Sequence, residues 1–577
     1  MMMVARNFIR IRAVLPVCRR TFTNVKTCKN VIGSGLPDLE IPELTLPEFF
    51  EPYLEKFEKF TAAECCETKR KYTYGEINKK SKRLARATQK FLGLNDGDVV
   101  AVILSNIPEY PIANLAILRA NLLITTVSPM FTSDEISRQL IDANAKLVIT
   151  QQNIFEKVSD AIRKTSRKVP VMVIKTKNGQ ELPNNTINFH ELVNTEIDHP
   201  DKKPCNPGST AVLLYSSGTT GLPKGVQLTH KNVISNLLQF SHPDIQFLDE
   251  ASGSFQEIYP TTLPLYHTFG YNLIMSYLTL YGGRTVLLEK FSLKSYITLL
   301  QQYPSSTVLC LVPPLVLMLI NNGSIKKEYL RNVKLAFSGA APLSQADEQR
   351  FIQKFGDHLT FAQGYGLTEA TSASSFLFPK IRQSKQSSQG SVGIPMANSQ
   401  MKFLEIDEPN SAPLGPRNIG ELYIKGPHVM KGYLGRPQET KSCLTEDGWL
   451  RTGDVGYHNE EGLVFVTDRF KELIKVKGHQ VPPAELEGVI RSYPGVLEAA
   501  VIGIPHETSG EVPRCYLVQK KGVTVDVKRL NEYVSERVAK YKELKGGVAI
   551  VDEIPKSPSG KILRRKLREE FLKSGGN

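Results

Sequence analysis

Much that would narrow a function is missing from this chain of 577 residues. It holds one tryptophan, and its eight cysteines are scattered, with no paired spacing beyond the adjacent Cys65-Cys66. Neither a disulfide framework nor a zinc site follows, so the thiols read as reduced structural groups. Apolar runs are short. The longest, Val308 to Ile320, is broken by Pro313-Pro314 and is too short to span a bilayer. No internal repeat occurs. Acidic residues are absent before Asp38, whereas residues 1–37 carry seven Arg and Lys. That stretch and residues 471–577, with 20 basic and 14 acidic residues, supply nearly all of the net charge of +14. The body between them is close to neutral, which argues against a nucleic-acid-binding field.

What is present reads as a large enzyme. With 41% apolar and 23% charged residues, the chain is neither collagenous nor wholly disordered, and its length allows about three or four core-sized units. The arginines of residues 1–36, spaced among Phe8, Ile9, Ile11, Val14 and Leu15, form an amphipathic, acid-free segment. They predict a mitochondrial presequence and a matrix location, the alternative being a basic tail on a cytoplasmic protein. The ending Lys573-Ser574-Gly575-Gly576-Asn577 does not support a peroxisomal address. Leu36 to Pro47 reads as an extended arm. From about residue 70 to 330, buried strands such as Asp98 to Leu104 and Lys146 to Thr150 alternate with helical patterns such as Tyr74 to Phe91. That alternation predicts α/β layers with parallel sheets. Residues 380–390 read as a polar surface loop, 400–466 as a separate small β-layer, and Ile562 to Leu572 as a basic helix with a solvated Arg564-Arg565-Lys566-Arg568 face.

The sharpest local signal is Leu214-Tyr215-Ser216-Ser217-Gly218-Thr219-Thr220-Gly221-Leu222-Pro223-Lys224-Gly225, which follows the apolar strand Thr210 to Tyr215. Glycines let successive amides and hydroxyls converge on an anion, and Lys224 adds a point charge suited to phosphate. Pro223 and Gly225 break the Walker pattern.

This loop resembles the signature of the adenylate-forming superfamily, in the branch of the 4-coumarate–CoA ligases and acyl-CoA synthetases. Four further motifs follow in the family's order. They are Gln363-Gly364-Tyr365-Gly366-Leu367-Thr368-Glu369-Ala370, Gly448 to Asp454, Asp468 to Gly478 and Pro558-Ser559-Gly560-Lys561. The resemblance implies a large N-terminal domain of layered α/β subdomains with a small β-barrel-like layer at 37–468, and a small α+β C-terminal domain at 469–577 that swings about Asp468 to Lys471.

It also implies the chemistry. ATP and a carboxylic acid form an acyl-AMP with loss of pyrophosphate, and the thiol of CoA then displaces AMP. In this frame Ser216, Ser217, Gly218, Thr219, Thr220 and Lys224 hold the phosphates. Gln363, Gly364, Tyr365, Thr368, Asp454, Arg469 and Lys471 complete the nucleotide set, with Tyr365 on adenine and Asp454 on the ribose. Glu369 is the Mg²⁺ ligand, a hard oxygen donor for a hard cation. Lys561 bridges the carboxylate and the α-phosphate. Lys475 and Gln480 are further functional positions, and Lys290, Lys477 and Gly478 contact CoA. His267, Phe269, Ala340 and Gly364 line the acid pocket, for a fatty or an aryl-propenoic acid. A luciferase-like monooxygenase and acyl transfer to a carrier protein share the first step and stand as alternatives. A catalytically dead binding protein is disfavoured by the joint presence of Lys224, Glu369, Asp454, Lys475 and Lys561.

Overall fold

The computed structural model describes residues 29–574, apart from 178, 180, 217–222, 385–387, 407, 470–471, 478, 507 and 558–559, with the side chains of 383, 384 and 480 also left out. The large lobe holds three sheets with a common apolar core. The largest has eight strands, in the order Gly432–Tyr433, Lys224–Thr229, Thr210–Ser216, Leu123–Thr126, Val99–Ile103, Ala145–Gln151, Val171–Ile174 and Ile187–Asn188. Val99–Ile103 runs parallel to both of its neighbours, and all five of its residues are buried. A run of valine and isoleucine without polar alternation suits a strand covered on both faces. The helix Tyr74–Leu92 starts at a reciprocal cap between Thr73 and Glu76 and stops at Gly93, whose φ is +60°.

A second sheet orders Val308–Leu311, Leu335–Ser338, Thr360–Leu367, Ser372–Phe376 and Ile394–Pro395, the first three parallel. The apolar run at Val308 is thus a strand followed by the helix Pro313–Asn321, whose opening prolines occupy positions where an amide has no intrahelical partner. A third sheet has four strands, Ile258–Thr261, Arg284–Leu287, Thr61–Cys65 and Lys71–Thr73.

The small β-layer is antiparallel: Gln400–Leu404, Gly420–Lys425, Leu450–His458 and Val464–Arg469, with Ile32–Gly33 at its edge. Ile32 is buried, and Asn30 Nδ2 donates to the Pro413 carbonyl at 2.8 Å. The expected presequence at 1–36 overlaps this edge, since residues 30–33 are tied into the folded body. Residues 1–28 lie outside the described residues. The 380–390 loop also needs correction, since its first part continues the short helix Pro379–Ser384.

The C-terminal lobe carries its own sheet, His479–Val481, Ile474–Val476, Gly510–Gln519 and Val496–His506, with Val548–Ile550 parallel to Gly510–Gln519. The helices Pro483–Arg491, Val527–Ser535 and Arg564–Lys573 pack on it, around a separate core that includes Ile474, Val501, Leu517 and Leu530. Among the described residues, no helix is long and apolar enough to cross a membrane, and no group of three or more His, Cys, Asp or Glu could hold a metal.

Candidate active site

The loop after Thr210–Ser216 returns as an antiparallel strand, so that Ser216 faces Lys224 across the ladder. This hairpin replaces the strand-to-helix turn of a Walker loop. Ser216 Oγ is buried and without a partner among the described residues, as a group awaiting an anion would be. Ser217, Gly218, Thr219 and Thr220 lie outside the described residues.

The second element is the hairpin of Thr360–Leu367 with Ser372–Phe376. A side chain at Gly366 would meet the Ser372 carbonyl oxygen at 1.6 Å, so only glycine permits the hairpin to close. Its far end turns through the short helix Thr368–Ala370, where Thr368 is buried. Thr371, in the left-handed region at φ +63°, donates from Oγ1 to the His428 carbonyl at 2.6 Å. Gln363 Nε2 donates to Glu348 Oε2 at 3.1 Å, within a buried network that includes Arg382.

Tyr365 projects to the small β-layer, where its hydroxyl donates to Asp454 Oδ2 at 2.6 Å. Asp454 sits directly across the ladder from Arg469, whose Nε lies 3.4 Å from Oδ1. Burial raises the pKa of Asp454, against the opposing pull of Arg469, the Tyr365 hydrogen bond and Lys561. Glu369 accepts from the Tyr433 hydroxyl at 2.9 Å, and its carbonyl accepts the Met430 amide at 2.8 Å.

Lys561 reaches this group from the other lobe. Burial first, and the Arg469 guanidinium second, bring its ammonium down to about 8, while Asp454 and Glu369 favour the cation. The loop bearing it closes against the large lobe: a side chain at Gly560 would lie 3.1 Å from Val312 Cγ2. Arg491 Nε lies 3.3 Å from Asp347 Oδ2, an ion pair across the lobes with both side chains nearly covered. The cleft between the lobes has a volume of about 1340 Å³ and is lined in part by Ala340, Gly364, Tyr365, Asp454, Arg469 and Lys561.

His267 stands near Lys561. Burial, with Lys561 adding to it, holds the imidazole down to about 4, so the ring is neutral at pH 7. The helix that follows, Phe269–Ser276, is a π-helix, and a side chain at Gly270 would strike the Pro264 carbonyl at 2.1 Å. Phe269 and Phe337 have ring centroids 5.5 Å apart, and Phe337 and Phe376 5.3 Å. Gly339 and Gly364 pack against these rings, and Ala340 sits at φ +72° beside them.

Other expected residues stand apart. Lys475 and Lys477 are exposed on the hairpin Ile474–Val476/His479–Val481, with Lys477 at φ +48° in its turn. Gln480 pairs with Lys475 through the backbone. Lys471 and Gly478 lie outside the described residues. Lys290 is exposed just beyond the strand Arg284–Leu287, with no described contact to the cleft.

The solvated Arg564 face is corrected. Arg564 is largely covered and pairs with Glu487 at 2.8 Å and with Glu472, close to Asp468. Asp468 accepts the Ala484 amide at 2.9 Å, and burial raises its pKa to about 7. A basic run hides this, because its partners come from distant segments. Tyr433 and the Arg491–Asp347 pair were not anticipated either; the nearest clue is Lys431-Gly432-Tyr433, whose glycine adopts φ +145°.

Residues 50–434 match the family model described as AMP-binding enzyme, and 485–561 match AMP-binding enzyme C-terminal domain. A 4-coumarate–CoA ligase of Oryza sativa subsp. japonica is 33% identical over 545 residues, covering 93% of this chain and 94% of that one. ATP-bound MatB from Rhodopseudomonas palustris superposes with a TM-score of 0.80 at 26% identity, covering 92% of this chain and 100% of MatB. The anthranilate CoA ligase AuaEII, complexed with anthranoyl-AMP, shares the fold at a TM-score of 0.83 and 20% identity. The chain belongs to the AMP-binding, adenylate-forming enzyme family. Within it, the protein is an ATP-dependent acid–thiol ligase of the 4-coumarate–CoA ligase and acyl-CoA synthetase type.

Proposed function

We propose that this protein converts a fatty or aryl-propenoic acid to its CoA thioester in two steps within one cleft. The acid's carboxylate oxygen attacks the α-phosphorus of ATP, forming acyl-AMP and releasing pyrophosphate. The sulfur of CoA then attacks the acyl carbon, and AMP leaves. The carrying observation is the enclosure of Lys561, from the small lobe, beside Asp454, Arg469 and Glu369 of the large one. Two anions must meet for the first step, and a desolvated ammonium lowers that barrier more than an exposed one.

Ser216 to Thr220 and Lys224 hold the β- and γ-phosphates. Tyr365 and Gly364 receive adenine, Asp454 and Arg469 receive the ribose, and Thr368 bonds the α-phosphate. Glu369 fits a Mg²⁺ that arrives with the nucleotide. It is an oxygen donor fixed by Tyr433, and one carboxylate plus phosphate oxygens is a usual Mg²⁺ environment. When bound, the ion supplies charge neutralisation at the phosphates. Neutral His267 and the carbon-lined wall of Phe269, Phe337, Phe376 and Ala340 favour an apolar tail. For the second step the small lobe turns, and Lys475 to Gln480, with Lys477 and Gly478, meets CoA. The acid-free arginine-rich N-terminus supports a mitochondrial matrix location.

A panel of free acids, scored for CoA-dependent AMP production and for acid-dependent ATP–pyrophosphate exchange without CoA, tests the reading. Exchange with apolar acids is expected. Release of ADP in place of AMP would refute the scheme.

A further inference from the structure

Glu369 and Lys224 flank one tyrosine, are of opposite charge type, and yet form no ion pair with each other among the described residues. Tyr433 stands between them. Its hydroxyl donates to Glu369 Oε1 at 2.9 Å, and the Lys224 Nζ lies 5.0 Å from the centroid of its ring. One side chain thus engages the carboxylate at its polar tip and the ammonium at its π-face, two contacts of different kind.

The segment bearing the tyrosine is fixed to both partners. The strand Gly432–Tyr433 pairs with Lys224–Thr229, with Val226 opposite Tyr433, and the Leu434 amide donates to the Gly225 carbonyl at 2.8 Å. The Met430 amide donates to the Glu369 carbonyl at 2.8 Å. The Tyr433 amide donates to Thr440 Oγ1 at 2.9 Å, which locks the strand to the helix Pro437–Cys443.

From this arrangement we infer that Tyr433 is a positioning residue that keeps Glu369 and Lys224 apart and aimed, so that the carboxylate stays available to the metal and the ammonium to the phosphates. A direct Glu–Lys pair would neutralise both groups before the nucleotide arrived. A hydrogen bond from a neutral hydroxyl orients the carboxylate and leaves its charge in place, and a ring holds an ammonium without supplying a counter-charge. The inference rests on the reading of Glu369 as the metal-binding carboxylate.

The test measures Mn²⁺ affinity by electron paramagnetic resonance on the whole protein with α,β-methylene ATP, which binds without reacting. Tyr433→Phe keeps the ring and loses one hydrogen bond to a charged group. It should weaken Mn²⁺ binding by roughly tenfold, leaving the KM for the acid and the melting temperature unchanged. Tyr433→Leu loses the ring as well and should weaken Mn²⁺ and the nucleotide analogue together. Glu369→Gln is the reference. If it weakens Mn²⁺ binding while both Tyr433 variants bind like the parent, the positioning role is overturned and the metal reading survives. If Glu369→Gln leaves Mn²⁺ affinity intact, the metal reading falls and takes the inference with it. Proportional losses in Mn²⁺ affinity, acid KM and melting temperature across the Tyr433 variants would also overturn it, as the mark of a general structural role.

Discussion

Two lysine-bearing segments of the small lobe face opposite circumstances. Lys561 is drawn into the cleft, where burial and neighbouring charge alter its acidity. Lys475 and Lys477 ride an exposed hairpin of the same lobe. Ile474, Val476 and Val481 pack the hairpin into the lobe's core, so in the proposed scheme engaging it takes a turn of the whole lobe. In that scheme conformation, and not sequence position, decides which lysine works. Among the described residues the present arrangement is held by the Arg491–Asp347 pair, the Ala484 amide on Asp468, and the approaches of Gly560 to Val312 and Gly488 to Ser344. Such contacts suit an interface that the proposed scheme releases on each turnover.

The largest expected effect separates the two faces outright. Lys561→Ala should depress acid-dependent ATP–pyrophosphate exchange by about a thousandfold, the upper range for removing one preorganised charge. Thioester formation from supplied acyl-AMP should stay within a few-fold of the parent. Equal loss of both steps would erase the contrast. Next, Lys477→Ala should raise the KM for CoA about tenfold, the effect of one charge-assisted contact, with exchange untouched. A matching exchange defect would place that lysine on the wrong face.

Arg491→Gln probes the contact between the lobes and leaves Asp347 paired with Arg350. Because Asp347 keeps Arg350, exchange should slow only about fivefold, the effect of losing one net hydrogen bond, whereas acyl-AMP turnover should not fall. The smallest effect is a pH limb. Lys561 must be cationic to act, and its ammonium loses the proton as pH rises through about 8. In exchange assays, kcat/KM for ATP should therefore drop about threefold between pH 7.5 and 8.5. Lys561→Arg should shift that limb beyond the range, since arginine stays protonated.

The chain's patterning made most of the large lobe readable. Val99–Ile103 and Ala145–Gln151 are strands because β-branched runs leave no polar face to expose, and Tyr74–Leu92 carries its start and stop signals locally. The Tyr365–Glu369 turn was legible because its tight backbone geometry demands glycine at a fixed position, Gly366. Interactions between distant segments were hidden. Arg564 looks solvated in its own helix, and only the fold delivers Glu472 and Glu487 to it. Tyr433 carries no charge or motif of its own, and its role arises where two segments converge on it. Ile32–Gly33 was missed because two residues at a sheet edge leave no periodicity to detect.

That short edge strand would limit any trimming of the N-terminus. A peptidase that cut after residue 36 would strip the rim from the antiparallel layer whose far strand ends at Arg469, and would uncover the backbone amides of Gln400 and Met401. A cut that kept this layer whole would have to fall before Asn30, whose side chain holds the Pro413 carbonyl.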